Sequence, residues 1–160
     1  MFRIGHGYDA HCFEEGRPLV LGGVRIPSSK GMKAHSDGDV ILHAICDALL
    51  GAAALGDIGQ HFPDTQKEYA NIDSRILLRQ VAALVTDNNY HINNVDVTVL
   101  AQTPKLAPYI AEMRRNIANE LLLTFNDVNV KATTTEKMGF IGREEGIACY
   151  AVTLLMRKTK

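Results

Sequence analysis

Apolar residues that alternate along this chain mark its strands, and apolar residues spaced at 3.6 mark its helices. Phe2 to His6 reads as a short strand, and Leu19 to Ile26 as a second, broken by Gly22-Gly23. Gly38 to Leu55 is predicted to be a helix, rich in Ala and Leu and ended by Gly56. A second helix is predicted over Ile72 to Asn88, where Ile76, Leu77, Val81, Leu84 and Val85 recur on one face. Val95, Val97 and Val99 alternate on a strand. Thr103 is placed to cap the next helix, with Pro104 at its first position. That helix carries Leu106, Ile110, Met113, Ile117 and Leu121 on one face. Val128, Val130 and Ala132 alternate again, and Ile147 to Met156 is a last, strongly apolar strand. Strands interleaved with amphipathic helices predict an α+β fold with helices on one face of the sheet. The opposite positions of two strands are Asp96, Thr98, Asn129 and Lys131. Such a face is either solvated or meets a partner subunit.

Length and charge narrow the classes. At 160 residues the chain suits a single domain, 1–160, with a sizeable core. The net charge of −1 leaves no basic excess for a nucleic-acid partner. No apolar run reaches the length of a membrane span, and the first residues lack a signal or transit pattern, so the expectation is a cytoplasmic protein. The three cysteines, Cys12, Cys46 and Cys149, form no C-x-x-C pair, and their odd number argues against a disulfide framework.

Candidate chemistry begins with Asp9, His11 and His43. Residues two apart on a strand point to the same side, so Asp9 and His11 are aimed together, and His43 arrives on a helix. Two imidazoles and a carboxylate form a three-ligand set for a divalent metal, foremost Zn²⁺, with a coordination position left open. Asp47 or Asp39, four residues either side of His43, is expected to orient its ring. Gly5-His6-Gly7-Tyr8-Asp9-Ala10 fits G-x-G-x-x-A, but no helix opens after it and no acidic residue follows at the required distance. The glycines are expected instead to let backbone pass close to the metal loop.

His35 and Ser36 precede the helix of His43 and suit an oxyanion beside free helix N–H groups. Asp57-Ile58-Gly59 and Phe62-Pro63-Asp64-Thr65 make a Gly/Pro/Asp-rich loop able to hold sugar hydroxyls. Lys131-Ala132-Thr133-Thr134-Thr135-Glu136-Lys137 runs three hydroxyls off a strand end into a carboxylate. Phosphate contacts and a Mg²⁺ or Mn²⁺ ligand explain that composition. Gly139 to Arg143 then supplies a flexible loop with one cation. Neither a P-loop nor a G-x-S-x-G nucleophile turn occurs.

These segments together, with Ala34-His35-Ser36-Asp37-Gly38-Asp39, Asp47 to Ala52, Asn94-Val95-Asp96 and Gly146-Ile147-Ala148, resemble the 2-C-methyl-D-erythritol 2,4-cyclodiphosphate synthases from one end of the chain to the other. The resemblance implies a ferredoxin-like α/β sandwich with a mixed sheet, assembled as a homotrimer with active sites between neighbouring subunits. It implies metal-dependent ring closure of 4-diphosphocytidyl-2-C-methyl-D-erythritol 2-phosphate with release of CMP. By the same resemblance Asp9, His11 and His43 hold Zn²⁺, and Glu136 serves a second ion, Mg²⁺ or Mn²⁺, bridging the diphosphate. His35 and Thr134 stabilise the transition state. Asp57, Gly59 and the loop Phe62, Pro63, Asp64, Thr65 and Gln66 bind substrate. Ala101, Gln102, Thr103, Pro104, Lys105, Leu106 and Ala107, with Thr133, resemble the pocket for the cytidine and its phosphates. Ser36, Ile58 and Thr135 lie inside these matched segments and join the candidate binding residues. Phe140 and Arg143 match residues near the threefold axis, where some members hold an isoprenoid diphosphate. Gln66 stands where many members have an acid, and Thr103 and Leu106 vary the cytidine segment. Two other readings of the residues remain: a metal-dependent phosphohydrolase and a non-catalytic trimeric module assembled by zinc.

Overall fold

The first strand, β1 (Phe2–Glu15), is far longer than alternation suggests. Its inward positions are Gly5, Gly7, Asp9 and His11, so glycine and polar groups occupy the places where aliphatic residues would have announced a strand. The computed structural model describes residues 1–158. After β1 come β2 (Leu19–Leu21), β3 (Val24–Ile26), β4 (Lys30–Met32), α1 (Val40–Ala53), α2 (Ile58–His61) and α3 (Ser74–Asp87). Then follow β5 (Tyr90–Leu100), α4 (Ile110–Leu121), β6 (Val128–Thr133), α5 (Gly139–Gly142) and β7 (Gly146–Arg157). Short 3₁₀ turns lie at Lys67–Tyr69, Ala107–Tyr109 and Phe125–Asp127.

The main sheet has the order β4-β1-β7-β5-β6. Its pairs are antiparallel except β5 and β6, which run parallel on either side of α4. The fold is α+β with a mixed sheet. β2 and β3 form a separate hairpin around Gly22 and Gly23, whose φ values of +57° and +70° suit a tight primed turn.

α1 is buried nearly all round: Ile41, Leu42, Ile45, Leu49 and Leu50 are at most 1% exposed. One side of it lies directly on β1. A Cβ on Gly7 would come 1.9 Å from the carbonyl oxygen of Ala44, and one on Gly5 would come 1.8 Å from that of Ala48. The glycines therefore bring a helix and a strand into backbone contact. The steps also match, since four helix residues rise about 6 Å and two strand residues about 6.6 Å. One strand step beyond Gly7 is Asp9, and His43, next to Ala44 on α1, carries its ring to that carboxylate. The expected role of the glycines, close passage of backbone near the metal loop, is thus met by α1 itself.

Three helix boundaries differ from expectation. α1 starts at Val40, capped by Asp39, and ends at Ala54 in the left-handed region (φ +59°), so Gly56 lies beyond its end. α3 starts at Ser74 under an Asp73 cap. Thr103 caps nothing: the Thr103–Pro104 peptide is cis, and the helix opens through the 3₁₀ turn containing Pro108, which leaves Leu106 buried ahead of α4. α1, α3 and α4 all pack on the sheet, and among the described residues its other face leaves large hydrophobic side chains exposed. There β1 and β7 pair Phe2 with Met156, His6 with Val152 and Tyr8 with Tyr150, and all but His6 are large hydrophobics at least 38% exposed. Alongside this stripe Asp96 accepts from Asn129 and Lys131.

Candidate metal centre and active-site cleft

Asp9 and His11 leave β1 on the same face, and α1 delivers His43 to them. Asp9 Oδ2 lies 3.0 Å from His11 Nε2 and 3.0 Å from His43 Nδ1, and the two nitrogens are 3.4 Å apart. In a tetrahedral zinc site with bonds near 2.05 Å, ligand atoms are separated by about 3.3 Å. The triangle therefore already has the dimensions of one tetrahedral face, and its donor set of two imidazoles and one carboxylate fits zinc with a fourth position open. Asp9, His11 and His43 are all partly buried. Asp9 is held by an N–H from Ala10 to its other oxygen (2.9 Å).

Burial works against ionisation of Asp9, yet hydrogen bonds and charge from His11 and His43 outweigh it and hold the carboxyl well below the usual range. Burial likewise opposes protonation of His43, but the Asp9 carboxylate raises its pKa above the ordinary value.

Neither Asp39 nor Asp47 orients the His43 ring, contrary to expectation. The carboxylate of Asp39 is fully buried and accepts four backbone N–H groups: Gly22 (2.9 Å), Gly23 (2.7 Å), Ile41 (3.1 Å) and Leu42 (3.2 Å). It ties the hairpin to the start of α1. Because Asp39 takes these N–H groups, the start of α1 offers no free pair to an oxyanion beside His35 and Ser36. Asp47 accepts from Ile58 N–H (2.7 Å) and so fixes α2. The partners of the ring are hydroxyls instead: His43 Nε2 lies 2.9 Å from Ser74 Oγ and 3.2 Å from Ser36 Oγ. Sequence reasoning missed Ser74, since nothing local distinguishes one serine at a helix start from another.

A cleft of about 390 Å³ opens beside the triad. His35, Ser36, Ile58, Gly59, Phe62 and Asp64 line it as expected, and Tyr69, Ile72 and Leu77 add apolar wall that sequence did not single out. The 34–36 loop is pinned from outside: Arg17 donates to the carbonyls of Ala34 (2.6 Å) and Ser36 (2.8 Å), and Asn71 N–H donates to that of His35 (2.7 Å). His35 Nε2 reaches the carbonyl of Gln66 (3.1 Å), which joins this loop to the Phe62–Gln66 segment. Pro63, Thr65 and Gln66 are in that segment without lining the cleft. Asp57 caps α2 through Gln60 N–H (3.0 Å) and faces solvent.

The other candidates gather elsewhere. Ala101, Gln102, Pro104, Lys105, Leu106, Ala107, Thr133 and Thr134 line a second cleft of about 260 Å³, and Thr103 is not on its wall. Thr134 Oγ1 donates to Glu136 Oε1 (3.1 Å), on an exposed loop where Glu136 has φ +52°. Thr135 turns back to donate to the Met138 carbonyl (2.7 Å). Glu136 is exposed, and a single carboxylate suits an ion such as Mg²⁺ that keeps waters and shares phosphate oxygens. Phe140 is 41% exposed, and Arg143 pairs with Glu145 (2.6 Å), away from both clefts. β1 and β6 are three strand spacings apart, about 14 Å. One chain thus keeps its metal triangle and its Thr133–Glu136 corner on separate flanks.

Known proteins match this chain along nearly its whole length. Residues 2–156 match the YgbB family. A 2-C-methyl-D-erythritol 2,4-cyclodiphosphate synthase from Azotobacter vinelandii is 63% identical over 154 residues, covering 96% of this chain and 98% of the relative. Among solved structures, IspF of Plasmodium falciparum in complex with CDP superposes with a TM-score of 0.86 at 40% identity, covering 99% of this chain and 97% of its own. The bifunctional IspDF from Campylobacter jejuni gives a TM-score of 0.95 at 48% identity over 98% of this chain, which spans 42% of that longer protein.

Proposed function

This chain belongs to the YgbB family, and we propose that its cleft closes a cyclic diphosphate, as its cyclodiphosphate synthase relatives are named for doing. It is accordingly a lyase-type enzyme. The substrate is 4-diphosphocytidyl-2-C-methyl-D-erythritol 2-phosphate. An oxygen of its 2-phosphate bonds to the β-phosphorus, the bond from that phosphorus to the CMP oxygen breaks, and the products are 2-C-methyl-D-erythritol 2,4-cyclodiphosphate and CMP. The observation that carries this reading is the Asp9–His11–His43 triangle at the head of a cleft whose wall has no cysteine or lysine nucleophile. None is needed, because the substrate attacks itself.

Asp9, His11 and His43 hold the metal, for which zinc fits best; when bound it supplies Lewis-acid charge to a phosphate oxygen. His35 and Thr134 donate hydrogen bonds to oxygens that gain charge in the transition state. The erythritol portion lies along Ile58, Gly59 and the Phe62–Gln66 loop, with Asp57 and Ser36 at its edge. Cytidine and its phosphates occupy the Ala101–Ala107 cleft with Thr133 and Thr135, and Glu136 serves a Mg²⁺ or Mn²⁺ ion on the diphosphate. Binding both ends of a flexible ester brings its reacting oxygen and phosphorus together, so positioning and neutralised charge provide the catalysis.

The single domain 1–160 works as a homotrimer, with each site shared between neighbours. Two features support this: the separation of the two clefts in one chain and the exposed apolar sheet face beside them. Phe140 and Arg143 supply a ring and a cation for an isoprenoid diphosphate on the threefold axis. The enzyme acts in the cytoplasm. Among the described residues no helix is long and apolar enough to cross a membrane.

The test is product analysis by ³¹P NMR with zinc and Mg²⁺ present. The expected result is two coupled phosphorus signals from one cyclic product, with CMP released in equal amount. A linear phosphate would point to a phosphohydrolase and overturn the reading. His43→Ala is expected to abolish both turnover and metal binding while leaving the circular dichroism spectrum intact.

A further inference from the structure

Ser74 opens α3, is fully buried, and stands between the His43 imidazole and the Asp37 carboxylate. We propose that Asp37 and Ser74 act as a pair of positioning residues that decide which nitrogen of His43 faces the metal. The inference rests on the metal reading of the Asp9–His11–His43 triangle and deepens it.

The direction of each hydrogen bond follows from what each group is able to donate. A carboxylate accepts only. Asp37 Oδ1 therefore receives the Ser74 hydroxyl hydrogen across 2.5 Å, while its Oδ2 receives Ser74 N–H at 3.0 Å. Asp39 N–H reaches Oδ1 as well, at 3.2 Å. Ser74 has one hydroxyl hydrogen, and it is committed to Asp37. Toward His43 its oxygen offers lone pairs alone, so His43 Nε2, 2.9 Å away, carries the hydrogen of that contact. A neutral imidazole has a single N–H, which leaves Nδ1 bare. Nδ1 is the nitrogen that lies 3.0 Å from Asp9 Oδ2 and 3.4 Å from His11 Nε2. Two acceptors that close repel each other, and a cation between them relieves the repulsion.

Ser36 does not make this choice. Its oxygen is 3.2 Å from the same Nε2 and accepts Gly38 N–H, but its own hydrogen has no fixed acceptor and turns either way. Asp37 grips Ser74 through both the backbone and the side chain, so the start of α3 is locked against the ring. Asp37 N–H also reaches the carbonyl of Ile72 (3.1 Å), which carries the lock into the segment that forms the cleft wall.

The experiment measures zinc affinity of the full chain by competition with a chromogenic chelator, for wild type, Ser74→Ala and Asp37→Asn. Loss of the group behind a ligating histidine is expected to weaken binding roughly 10–100-fold. ¹⁵N NMR of the histidines in unaltered zinc-loaded protein provides a second measurement that a merely structural role would not move. It is expected to show Nε2 bearing hydrogen and Nδ1 bound to metal, and it decides the matter even if Ser74→Ala fails to fold. Zinc affinities within about twofold of wild type in both folded variants, or hydrogen on Nδ1 in the loaded protein, would overturn the proposal. So would a wild-type chain that binds no zinc. A chain that binds zinc in the expected form yet produces no cyclic diphosphate would sink the reaction assigned above and leave this inference standing.

Discussion

Four backbone N–H groups meet on Asp39, whose side chain is fully buried. Burial and the neighbouring Asp37 push its pKa up to about 6, against the pull of those donors. The folded state then keeps a proton that the unfolded chain loses near 3.8, so stability declines as pH rises through that interval. In Asp39→Asn this decline should vanish, because the amide does not titrate. The same change turns an NH₂ toward Gly23 N–H and should cost about 1–3 kcal/mol at neutral pH. Urea unfolding of metal-free protein at several pH values checks both. His43 behaves in the opposite sense toward metal. Its raised pKa means that a proton must leave before zinc enters, so zinc affinity should weaken as pH falls and binding should release a proton. Calorimetry in buffers of different ionisation enthalpy counts that proton. Asp9, His11 and His43 were legible in the sequence because strand geometry places i and i+2 together. Ser74 and Asp37 were not, since their alignment with His43 is set by how α3 lies against α1, which no local pattern encodes.

At the scale of elements, α1 and β1 act as one unit. Gly7→Ala places a methyl group 1.9 Å from a helix carbonyl, which no side-chain motion relieves, so α1 must lift from the strand. Overpacking of this kind should cost at least about 3 kcal/mol. Zinc affinity should fall with it, because His43 moves with the helix. Thermal unfolding and the chelator assay follow the two effects separately. Periodicity identified α1, α3, α4 and the apolar runs of β5, β6 and β7, where burial on one face leaves a regular trace. It missed most of β1 because the inward positions there serve contact and chemistry instead of burial. It misplaced the start of α4 because Thr103 and Pro104 imitate a helix opening, whereas the chain turns there and Pro108 leads into the helix.

At the scale of the molecule, the exposed sheet face and the divided site make one prediction each. Ile4→Lys combined with Val152→Lys puts charge on exposed apolar positions and should give monomers that still bind zinc but turn over no substrate. Sedimentation measures the first outcome and CMP release the second. If each site joins the triangle of one chain to the Glu136 corner of another, His43→Ala and Glu136→Ala proteins, each inactive alone, should complement when refolded together. A random mixture would regain about a quarter of wild-type sites. No recovery on mixing would place a whole site within one chain.

The seam between Gly5, Gly7 and the carbonyls of α1 has one further consequence. Nothing projects into it, so its width is a mechanical stop set by peptide groups in contact, and no exchange of side chains retunes it. The spacing of the ligand triangle is inherited from that stop like a gauge block. Any shift in ion preference must then be made behind the imidazoles or across the open coordination position, and laboratory selection for a different ion should collect its mutations there while both glycines stay untouched.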